Sequence, residues 1–82
     1  MTFETLKEKV AEAIDRNDHW DVLKLTYNWI GADEVVIEHI ERWEAKHRNT
    51  GHLTTEVRLE RDSMFRGLSL DIGEEAMEEL RL

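Results

Sequence analysis

Four histidines, His19, His39, His47 and His52, are the side chains best suited to acid–base or metal chemistry in this 82-residue chain. Glu44 and His47 stand at Glu-x-x-His spacing, which puts a carboxylate and an imidazole on one face of a helix. Carboxylate-bridged di-metal bundles use such pairs, two or more of them converging on one point. Here a single pair is present, and no other carboxylate falls in an apolar stripe. A metal-binding bundle would therefore need a second copy of the chain, and we carry it only as an alternative. His47 also continues the apolar stripe of Ile40 and Trp43. That suits a partly buried histidine near a helix C-terminus, or a pH-sensitive contact at an interface.

Nucleophilic catalysis has little to work with. Cysteine is absent, and Ser63 and Ser69 sit in no elbow or triad context. The carboxylates are explained by solvent-facing helix surfaces, and the four glycines form no phosphate-cradling loop. The expectation is a protein that is not an enzyme and needs no cofactor.

The elements that would position these side chains are read as helices. Proline is absent, and the glycines at positions 31, 51, 67 and 73 are the main breakers. A first helix from about Thr2 to Asn17 carries the stripe Phe3, Leu6, Val10, Ala13 and Ile14, with capping-box spacing from Thr5 to Glu8. A second starts at Asn17 or Asp18 and stops at Gly31. A third, capped by Asp33, runs to about Arg48; Val36, Ile40, Trp43 and His47 face inward, flanked by Ile37. Its solvated side is expected to carry Glu34, Glu38, Glu41, Arg42, Glu44 and Lys46.

Residues 52–72 are ambiguous. Leu53, Thr55, Val57 and Leu59 alternate with polar residues, as do Leu68, Leu70 and Ile72, the period of a half-buried strand. The competing helix would be capped by Thr54 or Thr55, would turn Val57, Met64, Phe65 and Leu68 inward, would pair Arg58 with Asp62, and would end at Gly67. The helix is preferred because a hairpin without a third strand is marginal. Asp71 to Glu74 then reads as a capping box opening a last helix to Leu82. The expected fold is an all-α, compact bundle of four to five short helices in one domain, residues 1–82. An α+β arrangement with a β-hairpin within residues 52–72 is the alternative.

The second helix is apolar on two opposite sides. Trp20, Leu23, Tyr27 and Ile30 form one stripe; Val22, Leu25 and Trp29 form another, about half a turn away. Such a helix must be covered twice, by its own chain or by another molecule. Tryptophan is enriched at interface hot spots, which makes Val22, Leu25 and Trp29 the candidate interface.

Nineteen acidic residues against eleven basic give a net charge of −8. That charge opposes a surface tracking phosphates. A helix-turn-helix around Gly31 would present Glu34, Glu38 and Glu41 to DNA, with only Arg42, Lys46 and Arg48 to help. Arg58, Arg61 and Arg66 are interleaved with Glu56, Glu60 and Asp62. Direct nucleic-acid binding is therefore an alternative rather than the leading reading. Glu74, Glu75, Glu78 and Glu79 form a candidate acidic surface for a basic partner, above an inward side of Ala76, Met77 and Leu80. The longest apolar runs, such as Val35-Val36-Ile37, are too short to span a membrane, and the first residues lack a secretory pattern. A cytoplasmic setting is expected.

Residues Glu56 to Leu82, with an Arg-rich helix, a Gly-Leu-x-Leu link and a short closing helix, resemble the end of phage small terminase subunits. The family's Asn-Pro step into that helix is missing. The resemblance implies a phage packaging accessory role. The leading expectation is a small acidic, non-enzymatic binding module acting through a protein–protein interface. It would be a self-associating regulator or inhibitor, of viral or accessory type, of a basic nucleic-acid-handling partner.

Overall fold

Two apolar stripes on one helix demand cover on both sides, and the chain supplies it from its own length. The computed structural model describes all 82 residues as five helices without strands: α1 (Phe3–Asp15), α2 (His19–Trp29), α3 (Glu34–Thr50), α4 (Thr55–Ile72) and α5 (Glu74–Glu79). The expected all-α bundle is the observed fold. The Cα radius of gyration is 12.4 Å.

Local chemistry explains the boundaries. Thr2 caps α1 by accepting the Thr5 amide, so the cap lies three residues before the expected Thr5–Glu8 box. Asp18 caps α2 through the Asp21 amide. Asn17 instead closes α1 in the left-handed conformation, which asparagine tolerates; Asp18 N–H donates to Ala13 C=O behind it. Gly31 closes α2 in the same way, with Ala32 N–H donating to Tyr27 C=O. α3 runs on through Asn49 and Thr50 to a left-handed Gly51, past the expected end at about Arg48.

The hairpin alternative for residues 52–72 is overturned. Thr54 accepts the Val57 amide and α4 continues unbroken to Ile72. The alternation is coincidental: Val57 and Leu68 are fully buried, while Leu59 and Leu70 face solvent. Gly67 does not end the helix, and the expected Arg58–Asp62 pair does not form; Asp62 has Arg61 at 3.6 Å instead. At the far end Gly73, not Asp71, opens α5, and α5 stops at Glu79.

Two buried clusters share α2. Trp20, Leu23 and Tyr27 pack with Ile40 of α3 and with Val57 and Leu68 of α4. On the opposite side Val22 packs with Leu6, Val10 and Ala13 of α1 and with Leu80. Phe65 and Ile72 of α4 touch both clusters and join them. Every buried polar side-chain atom has a hydrogen-bond partner.

Candidate functional site

The sequence candidates for an interface separate in space. Val22 is sealed in the α1–α2 core. Trp29 is half-buried and packs on Phe3, with ring centroids 5.4 Å apart. Leu25 is also half-buried, but its remaining surface opens into a groove between α2 and α3. The cover comes from other elements, α1 just before α2 and Leu80 near the chain's end, so the pattern of α2 alone could not show which stripe would be sealed.

Glu44 departs most from expectation. Placed on the solvated side of α3 by its spacing, it is only 5% exposed. One carboxylate oxygen accepts from Lys24 Nζ of α2 at 2.8 Å, and the other from Arg48 at 2.6 Å. The group is thus occupied by two cations and ties α2 to α3. His47, its proposed metal-binding companion, accepts the Trp20 indole N–H on Nδ1 at 3.0 Å. Within α3, His39 Nε2 accepts the Trp43 indole N–H at 2.9 Å; Glu60 Oε1 of α4 lies 3.3 Å from the same nitrogen, which then has no proton to donate to it. An indole can only donate, so each of these imidazoles must present an unprotonated nitrogen to it. No cluster of three or more His, Asp or Glu side chains is placed to hold a metal ion. These arrangements explain the polar residues of α3 as bonds between helices.

Removing Lys24 tests that assignment. Lys24→Met leaves the buried Glu44 with one cation on its own helix. Breaking a fully buried pair costs about 3–5 kcal/mol. Lys24 and Arg48 keep 27% and 71% of their side-chain surface in solvent, which screens the loss to about 1–2 kcal/mol. Glu44→Leu, which removes the need for both cations, should cost less. Urea denaturation of the two variants measures the difference.

The groove beside this ion pair is the concavity with the most pronounced charge. Two adjoining hollows, of about 290 and 390 Å³, share Asn28, Ile37 and Glu41. Leu25, Ala32 and Ile37 supply its apolar surface; Asp21, Glu34, Glu38 and Glu41 line its rim. Asp21 is held by Arg16 at 2.7 Å, and Lys24 is spent on Glu44. Glu34, Glu38 and Glu41 enter no ion pair within the chain. The three free carboxylates follow from i, i+4 and i+7 spacing on α3, which sets them along one side of the helix.

The other acidic candidates, Glu74, Glu75, Glu78 and Glu79, are all exposed on α5. Of these, Glu79 lines a shallow hollow between α1 and α5 together with Lys7 and Glu8. The Lys7 ammonium is held above its ordinary value by its hydrogen bond to Glu4 first, with Glu79 contributing.

Comparison with protein families, curated proteins and solved structures finds no match for this chain. The resemblance of residues 56–82 to small terminase subunits is also altered by the structure, because Gly67 to Leu70 lie inside α4 and link nothing. No helix is long and apolar enough to cross a membrane.

Proposed function

We propose that the protein is a non-enzymatic acidic binding module, and that its α2–α3 groove takes a basic, amphipathic segment of a partner protein. The observation that carries this reading is the row Glu34, Glu38 and Glu41, unpaired within the chain and set beside an apolar floor of Leu25, Ala32 and Ile37. Carboxylates without internal partners steer a cationic ligand and fix its register, while the apolar floor buries its non-polar side. A protein that handles nucleic acid offers such segments, so a regulator or inhibitor of such a partner is the role we infer. Self-association through Val22, Leu25 and Trp29 is not part of this proposal, since α1 and Leu80 pack on Val22, Phe3 packs on Trp29, and Leu25 belongs to the groove. The same carboxylates oppose the helix-turn-helix alternative, because they would face the phosphates.

The test is a titration of the ¹⁵N-labelled protein with a lysine–leucine amphipathic peptide, followed by amide shifts. Movement should centre on Asn28, Ile37, Glu38 and Glu41. Replacing Glu38 and Glu41 together by lysine should weaken binding about tenfold or more, equivalent to about 1.4 kcal/mol. Shifts centred on Glu74 to Glu79 would move the site to α5. Salt-sensitive retention of duplex DNA with no response to the peptide would favour the nucleic-acid reading.

A further inference from the structure

The outer face of α4 is built for a partner that no part of the chain provides. Leu59 and Leu70 are 58% and 88% exposed, two of the five large apolar side chains left in solvent. They are eleven residues apart, which on a helix places them about 20° from each other and about 16 Å apart along the axis. Ser63, also exposed, lies on the ridge between them. Beside it lie Asp62, whose nearest cation is Arg61 at 3.6 Å, and Arg66, which forms no ion pair. The face carries both signs of charge: Arg58 and Arg66 stand among Glu56, Glu60, Asp62 and Asp71, and Glu56 and Glu60 have Lys46 and His39 beside them. A second copy meets less repulsion here than on the acidic flanks of α3 or α5.

We propose that α4 pairs antiparallel with α4 of a second copy across a two-fold axis. A two-fold contact must be self-complementary, and this ridge is. Setting Leu59 against Leu70 of the partner subunit buries both exposed leucines twice over. The same register brings Asp62 within one residue's rise, about 1.5 Å, of Arg66 of the partner subunit. Asp62 and Arg66 are also on the same flank of the helix, which is where flanking residues of antiparallel helices meet. The symmetry makes two such ion pairs. In a parallel arrangement this flank of each copy lies on opposite sides of the seam and Asp62 cannot reach Arg66, so the charges select the antiparallel one. The face shares no residue with the α2–α3 groove, and the inference does not depend on the function proposed for that groove.

Sedimentation equilibrium of the full chain, up to about 1 mM, tests the contact. The wild type is expected to dimerise, and Leu70→Asp to be monomeric with unchanged helicity, since Leu70 supports no internal contact. Asp62→Arg and Arg66→Asp, each alone, should weaken self-association about tenfold. An equimolar mixture of these two variants should recover it, because their α4 faces then carry opposite charges. An effect confined within one helix cannot be rescued by mixing. A wild type that stays monomeric, a dimer that survives Leu70→Asp, or a mixture that fails to associate would each overturn the proposal.

Discussion

Val22→Asp is expected to unfold the chain, or to lower its melting midpoint by about 20 °C, and to do so at every protein concentration. Val22 has no exposed surface and lies among Leu6, Val10, Ala13 and Leu80. A carboxylate there has only hydrocarbon around it, so it must either lose its charge or open the core. Burying an unpaired charge belongs to the few substitutions that cost more than about 4 kcal/mol. A domain of this size shifts by about 4–8 °C per kcal/mol, and its whole stability is about 4–12 kcal/mol. Far-UV circular dichroism melts at two concentrations check this. A variant that stays folded with the wild-type midpoint would mean that α1 is not docked on α2. Trp29→Asp should cost less, because Trp29 keeps a solvent-facing edge beside Phe3.

The two-sided core on α2 explains why one substitution can do so much. α1 and Leu80 hold one side of it, α3 and α4 the other, and Phe65 and Ile72 bridge the two. Neither cluster is large enough to stand alone in a chain of 82 residues, since small domains bury little surface per residue. Loss of α1 would expose Val22, and α2 would keep only one packed face.

Helix periodicity made most of this legible. The stripes of α1, α2 and α3, the cap at Asp18, the start of α3 after Asp33 (whose side chain makes no capping hydrogen bond) and the stop at Gly31 all follow from local rules, and local rules depend only on neighbouring residues. Three features were out of their reach. Glu44 lies on the polar side of α3 by spacing, and its burial depends on Lys24, twenty residues earlier. The alternation of Val57 with Leu59 and of Leu68 with Leu70 imitates a strand, because Leu59 and Leu70 are apolar yet remain exposed. The groove is formed by two helices together, so its acidic rim could be seen as a face of α3 but not as one wall of a concavity. Leu25 was recognised as an interface candidate, although through a stripe whose other members, Val22 and Trp29, pack within the chain.

Gly67 is a further feature explained by a distant residue, and its replacement should have the second large effect. A glycine within an apparent helix reads as a stop, yet α4 passes through it. The reason is Tyr27 of α2. A Cβ on residue 67 would stand 3.3 Å from the Tyr27 hydroxyl, closer than ordinary contact. That hydroxyl donates to the Met64 carbonyl at 2.7 Å, a bond between α2 and α4. Burial first, and then Asp71, raise the phenol above its ordinary value, so it stays a donor through neutral pH. Gly67→Val would force the ring aside, losing a hydrogen bond worth about 1 kcal/mol and overpacking the contact by about 1–3 kcal/mol. The gain in helix propensity, about 0.5 kcal/mol, offsets little of this, leaving a net loss of about 2–3 kcal/mol. Gly67→Ala asks the hydroxyl to give only a few tenths of an ångström, and its propensity gain of about 1 kcal/mol should nearly balance that. In a Tyr27→Phe background the obstruction is gone, and Gly67→Ala should stabilise by about 1 kcal/mol. A double-mutant cycle by urea denaturation reads the coupling directly. Equal effects of Gly67→Ala in both backgrounds would show that Tyr27 is not why glycine stands there.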